Sequence, residues 1–391
     1  MATTFEVNKT ISEINERIKK GKAVVVNAEE MVDIVRSKGK VEAAKEIDVV
    51  TTGTFSPMCS SGMLFNIGQV PPLMKTSQVW LNNVPCYAGL AAVDSYIGAT
   101  EPSEDDPLNK VHPGRFVYGG GHVIEDLIAG KTVRLKAKAY GTDCYPRREI
   151  EKDVSLKDLK DVTILNPRNC YQNYNAAVNM TSRTVYTYMG PLKPNQRNVN
   201  FATAGALSPL FNDPYLKTIG MGTRIFLAGA KGYVLGAGTQ HVKNPQRNER
   251  GIPLTPSGTL MLKSTNVSEM DARYFRGLSF PGYGTTASVG VGIPIPILNE
   301  EMAWFTGVSD ADIQMPVKDY GYDYPNGVGN ILAHVTLEEL KSGSINLNGK
   351  DIPTVPLTSY SMSLEIADKL KDWIQKGEFL LTQPVEEIES E

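Results

Sequence analysis

Cysteine is scarce in this chain and never clustered. The four thiols, Cys59, Cys86, Cys144 and Cys170, are separated by 27, 58 and 26 residues. Those spacings match no local zinc or ferredoxin pattern, and four cysteines in 391 residues do not make a disulfide framework. Any site shared between thiols must be assembled by the fold. An excess of one charge is lacking too. Lys and Arg number 40 against 43 Asp and Glu, with the signs interspersed, which argues against a nucleic-acid or membrane-surface partner. No apolar run approaches the roughly 20 residues of a bilayer span. The N-terminus, Met-Ala-Thr-Thr-Phe-Glu-Val-Asn-Lys, has no basic start leading into an apolar core, so a cytoplasmic protein is expected. Nucleotide fingerprints are missing as well. The glycines of 219–241 fail the G-x-G-x-x-G spacing, and the triple glycine Gly119–Gly121 lacks the Gly-Lys-Ser/Thr ending of a phosphate loop. That triple glycine reads as a tight turn before a short helix.

What is present is glycine (35) and proline (24), hence many turns and close backbone approaches. Thr10-Ile-Ser-Glu13 forms a capping box that opens an amphipathic helix, which Gly21 ends. Ala23–Val26 is a short apolar strand, and Asn27 with Glu30 caps a second helix over about 28–46, interrupted at Gly39. Asp48-Val-Val-Thr-Thr52 is the next strand. Strand, helix, strand with short joints predicts a parallel βαβ unit. Further on, Thr132–Gly141 alternates apolar and basic residues as a strand with one wet face, and 219–241 reads as two buried strands about a glycine turn. Met270–Arg276 reads as a helical turn closing at Gly277. Ser288–Leu298 reads as an apolar strand confined by its prolines to an edge, and Asp319–Pro325 as a turn cluster. Ser363–Lys376 is an amphipathic helix. The expected class is α/β, with mixed α+β compatible: an N-terminal βαβ unit, mixed sheets and Gly-rich buried strands. One catalytic region over 1–385 is expected, with a division into subdomains near residue 160 left open, then an acidic tail over 386–391.

Two stretches place a thiol just past a strand. In Ser56-Pro-Met-Cys59-Ser-Ser-Gly62, small residues follow the sulfur and leave room for a small molecule. A helical continuation would set Cys59 at a helix N-terminus, where backbone N–H groups favour the thiolate. In Gly141-Thr-Asp-Cys144-Tyr-Pro-Arg-Arg148, two guanidinium groups follow the thiol, and cations both lower thiol pKa values and clamp carboxylates. Cys86, after Pro85 among apolar neighbours, reads as packing. The polar and aromatic stretches 166–175 and 184–191 suit a ligand pocket, and 202–214 a turn-rich wall beside it. His241 is a candidate proton donor.

Together, Ser56–Gly62, Gly141–Arg147, Asn173-Tyr-Asn-Ala-Ala177, Tyr186-Thr-Tyr-Met-Gly-Pro-Leu192, Leu207-Ser-Pro-Leu210 and Gly236-Ala-Gly-Thr-Gln-His241 resemble the homocysteine biosynthesis (HcyBio) family of L-aspartate semialdehyde sulfurtransferases. The likeness runs from about residue 10 to 385. It implies conversion of aspartate semialdehyde to homocysteine, with sulfide as ultimate sulfur source and two electrons consumed. It also implies that Cys59 and Cys144 are the working thiols, one bearing a persulfide and the other resolving the adduct. Arg147, Arg148, Arg168 and His241 are then the substrate-binding candidates. Many relatives continue into CBS or ferredoxin-like domains; neither is expected here, so a ferredoxin-like protein would donate the electrons. No tightly bound cofactor is expected. The alternatives are a [4Fe-4S] cluster on Cys59, Cys144 and Cys170 (or Cys86), or a non-catalytic sulfur carrier. Homo-oligomerisation is left open.

Overall fold

The computed structural model describes residues 4–322 and 329–388. Its N-terminal part follows from local chemistry. Thr10 caps α1 (Ile11–Lys19), its hydroxyl accepting the Glu13 N–H while the Glu13 carboxylate accepts the Thr10 N–H. β1 (Val25–Asn27) leads into α2 (Ala28–Glu46), capped in the same reciprocal way by Asn27 and Glu30 and broken at Gly39, where φ is 78°. β2 (Val49–Thr51) then pairs parallel with β1. The predicted βαβ unit is present, and Pro294–Pro296 adds an antiparallel third strand beside β2.

Most of the core belongs to a nine-stranded antiparallel sheet. It contains β3 (Thr54–Pro57), β4 (Gly62–Asn66), β7 (Asp94–Gly98) and β10 (Lys160–Asn169), with the later strands 224–227, 230–237, 260–264, 275–280 and 284–292. The sheet curls until its ends meet. β3 pairs with 288–291, β7 with β4, and Thr285 Oγ1 donates to the Ala99 carbonyl just past β7 (3.1 Å). The four residues joining β3 to β4, Met58–Ser61, therefore cross a closing seam, and Cys59 sits in them. α3 (Gly120–Ile128) packs close against this seam. A Cβ on Gly120 would lie 1.8 Å from the Gly98 carbonyl oxygen, so the triple glycine serves close packing.

A four-stranded sheet lies to one side, in the order β6 (Val84–Cys86), β5 (Thr76–Leu81), β8 (Val133–Ala139), β9 (Glu149–Val154). A mixed six-stranded sheet, built from strands between Ala176 and Pro356, packs a second apolar cluster around Phe201, Phe211, Met315 and Val317. The molecule is thus a mixed α/β protein. The C-terminal helix forms over Tyr360–Gln375 and buries Ile366 and Leu370 against the first core. Among the described residues, no helix is long and apolar enough to cross a membrane.

Three expectations are corrected. The segment after Cys59 is β4, an extended strand paired on both sides, so no helix N-terminus stands beside the thiol. Ser288–Leu298 is divided at Gly292: the part before it is central, paired with 275–280, β3 and 226–227, whereas the prolines fall, as expected, in a separate edge strand beside β2. Their missing N–H groups never meet the long ladder. Residues 270–276 make a single 3₁₀ turn (Ala272–Tyr274) that runs directly into the strand Phe275–Phe280, through Gly277. The turn cluster from Asp319 lies beyond Tyr322 outside the described residues.

Candidate active site

Cys59 is held by its neighbours' hydroxyls. Ser60 Oγ donates to the Arg168 carbonyl (2.6 Å) and to Asn166 Oδ1 (3.2 Å), and Ser61 Oγ donates back to the Met58 carbonyl (2.8 Å). Asn166 Nδ2 in turn donates to Ser61 Oγ (2.9 Å), tying the turn to β10. The small residues beside the sulfur are anchors as well as open space. The half-buried Cys59 faces a cavity of about 350 Å³, a size suited to a small metabolite.

The cavity lies where the first core meets the loops of the six-stranded sheet. β3 and Cys59 form one wall, and Arg168, Cys170 and Tyr171 at the end of β10 form another. Tyr174, Tyr188, Met189, Ala202 and Leu357 close it from a third, smaller apolar cluster around Ala177, Met189 and Leu192, with Thr203 and Ala204 beside them. Its aromatic lining is continuous. Tyr171 and Tyr174 meet edge to face with centroids 5.0 Å apart, and Tyr174 with Tyr188 and Tyr188 with Tyr283 at 6.1 Å. Tyr188 and Tyr320 share a hydroxyl–hydroxyl hydrogen bond of 3.0 Å, and Asn175 Nδ2 donates to Tyr320 Oη (3.1 Å). Burial is the main cause pushing the Tyr174, Tyr188 and Tyr320 phenols above their usual range, so they stay neutral donors. At the mouth, the Tyr283 hydroxyl donates toward Cys59 Sγ at 3.8 Å.

Of the residues singled out in the sequence, the fold brings Cys59, Arg168 and Cys170 to this cavity. Arg168 has a buried Nε with no hydrogen-bond partner, and its guanidinium lies beside Tyr171. As a fixed cation on the cavity wall, Arg168 is a candidate partner for a carboxylate. Cys170 is fully buried, and desolvation pushes its thiol up, away from the nucleophilic form. Burial does the same to Cys86, whose thiol points back to the Val84 carbonyl, as packing would have it.

The fold does not bring the other candidates there. His241 Nδ1 is bound to the Thr259 backbone, and its neighbour Gln240 lines the cavity instead. Cys144 lies exposed on the β8–β9 hairpin. Arg147 spends its guanidinium on the Pro71 and Pro72 carbonyls (3.0 and 2.9 Å), and Arg148 is exposed against Gly141. Topology explains the separation. Cys59 precedes the Gly62–Gly98 end of the β4–β7 pair. The hairpin is anchored through Leu73 and Thr76 past the opposite Asn66–Asp94 end, four residues or about 13 Å along the strands. Within this chain Cys144 is exposed and is not among the residues that line the Cys59 cavity. The alternative cluster set of Cys59, Cys144 and Cys170 does not converge either. Among the described residues, no three His, Cys, Asp or Glu side chains gather as a ligand set.

Sequence reasoning missed Tyr283, which is 224 residues from Cys59 and carries no local signature. The polar-aromatic stretches 166–175 and 184–191 did announce the opposite walls.

Comparison with known proteins gives a consistent picture. The chain is 48% identical over 388 residues to an L-aspartate semialdehyde sulfurtransferase of Methanosarcina acetivorans, covering 98% of this chain and 73% of that protein. It is 48% identical over 395 residues to a protein of the same name from Methanocaldococcus jannaschii, covering 98% and 74%. A protein of Methanothermobacter thermautotrophicus without an assigned activity is 31% identical over 351 residues, covering 87% and 74%. No solved structure matches the chain significantly. Residues 23–381 match the family described as homocysteine biosynthesis enzyme, sulfur-incorporation, and the chain belongs to that family.

Proposed function

We propose that this chain is an L-aspartate semialdehyde sulfurtransferase that carries sulfur on Cys59 and adds it to the aldehyde inside the tyrosine-lined cavity. Family membership and the two relatives at 48% identity support the activity. The observation that carries the choice of thiol is that Cys59, unlike Cys144, opens into a cavity of metabolite size that Arg168 also lines.

The overall reaction is aldehyde plus hydrogen sulfide, two protons and two electrons giving a thiol and water. As a persulfide, Cys59 presents its terminal sulfur to the aldehyde carbon. Loading that sulfur from sulfide passes one electron pair to an external two-electron acceptor such as a disulfide; the donor then supplies two pairs, one to cleave the S–S bond of the adduct and one to replace oxygen by hydrogen at carbon, so the net demand stays at two electrons. Arg168 holds the substrate carboxylate. Cys144 belongs to the reductive half. Exposed on its hairpin, it exchanges with an external electron donor of ferredoxin type, and it meets the Cys59 adduct from a second copy or after displacement of the hairpin.

The test is anaerobic turnover of the purified chain with sulfide, L-aspartate semialdehyde and a chemical reductant. Homocysteine should form with the native chain and fall to background with Cys59→Ser. Sulfur uptake without product would make the chain a carrier instead.

A further inference from the structure

We propose that Tyr283 is a catalytic residue: the acid that protonates the aldehyde oxygen as the carbon–sulfur bond forms. This rests on the reading of Cys59 as the sulfur carrier and adds a second participant to it.

The placement of Tyr283 is built into the backbone. It occupies the tip of the hairpin between strands 275–280 and 284–292, between Gly282 (φ 73°) and Gly284 (φ 150°). Gly282 N–H donates to the Gly114 carbonyl (2.6 Å), and a Cβ there would come within 2.4 Å of the Tyr186 ring, so only glycine lets the tip tuck under that ring. Two rungs below, Ser279 Oγ donates to the Phe116 carbonyl (2.5 Å). The ring of Tyr283 rests edge-on against Tyr188. The aim of its hydroxyl at Cys59 Sγ is thus fixed from three sides.

The neighbouring phenols are committed elsewhere. Tyr188 is bonded to Tyr320, Tyr174 leans on Tyr188, and Tyr171 lies beside Arg168. Tyr171 and Tyr174 also lie near Cys59, but among the described residues Tyr283 is the phenol that hydrogen-bonds its sulfur. Its phenol is pushed above the ordinary range by partial burial and by the adjacent Cys59, which keeps the proton in place until a strong base develops.

A persulfide extends the nucleophile about 2 Å beyond Sγ. The hydroxyl that lies 3.8 Å from Sγ then flanks the carbon under attack. The terminal sulfur gives its electron pair to the carbon, the C–S bond forms, and the C=O π pair moves onto oxygen. That oxygen takes the Tyr283 proton, leaving a neutral thiohemiacetal disulfide on Cys59. No electrons enter or leave in this step. Tyr283, 39% exposed at the cavity mouth, regains its proton from water.

The experiment compares the native chain, Tyr283→Phe, and a chain with 3,5-difluorotyrosine at 283. Two quantities are read: one-sulfur uptake on Cys59 by mass spectrometry, and kcat and KM for homocysteine formation. Tyr283→Phe should keep sulfur uptake and KM within threefold while kcat falls about 10²-fold, the usual scale for a lost general acid. Difluorotyrosine, a stronger acid that keeps the hydroxyl and the fold, should recover most of kcat and move its alkaline limb to lower pH. A kcat drop of less than tenfold in the phenylalanine variant overturns the assignment. So does loss of sulfur uptake, which would give the hydroxyl to the loading step, or an unmoved alkaline limb. Failure of the Cys59 reading shows separately, as homocysteine made by Cys59→Ser.

Discussion

The Cys59 turn and the Cys144 hairpin look alike in sequence. Each sets a thiol among small polar residues just past a strand. The fold gives them different surroundings. The Cys59 turn crosses the seam of a closing sheet and is tied to β10 by two serines, with a tyrosine-lined cavity before it. The Cys144 hairpin hangs from the edge of a four-stranded sheet, exposed, with Tyr140 beside it 83% in solvent. Local composition makes a cysteine approachable; only long-range packing gives it walls. On the reading proposed above, a sheltered thiol forms the new bond and an open thiol handles electrons.

The largest effect should come from the thiols themselves. Cys59→Ser is expected to lower homocysteine formation by about 10³-fold or more and to abolish sulfur uptake. Cys144→Ser should leave uptake at Cys59 intact and lower multiple turnover by about tenfold or more, as loss of an exchange partner would. Equal loss of uptake in both variants would break the comparison.

Next come the arginines. Arg168→Ala should raise KM for aspartate semialdehyde by about 30-fold or more, because a charge-assisted carboxylate contact contributes about 2 kcal/mol. Arg147→Ala, whose guanidinium holds the Pro71–Pro72 turn, should leave KM within about twofold and lower Tm instead. Steady-state kinetics with thermal denaturation separates the two.

Labelling gives a finer contrast. Burial holds the Cys170 thiol protonated well above the ordinary thiol range. Because only the thiolate reacts, raising the pH from 7 to 9 should not make Cys170 react with iodoacetamide in the folded chain, while exposed Cys144 is modified. Peptide mapping reads this directly. The smallest effect is expected at His241. Its ring nitrogen braces the Thr259 backbone, so His241→Gln should cost about 1 kcal/mol of stability and leave kcat within about twofold.

The legible parts of the fold were those fixed within a few residues. Thr10 with Glu13 and Asn27 with Glu30 name two helix starts through reciprocal hydrogen bonds, and Gly39 marks its own break. The Tyr-rich segments at and beyond the end of β10 were readable as pocket wall because so many amides and phenols need partners. The position of Cys144 was not readable, since its distance from Cys59 depends on which end of the β4–β7 pair the hairpin joins. Tyr283 was hidden for the same reason. Its aim depends on a hairpin tip tucked under Tyr186, a contact between segments about a hundred residues apart in the chain.

Everything turns on whether the sheltered thiol, Cys59, bears the sulfur. The most direct test is mass spectrometry of the anaerobic chain after sulfide and a mild oxidant, followed by addition of aspartate semialdehyde. A gain of about 32 mass units, one sulfur atom, is expected on the peptide containing Cys59, and should disappear when the aldehyde is added. The gain appearing on the Cys144 peptide, or persisting unchanged on Cys59 in the presence of the aldehyde, would contradict this reading.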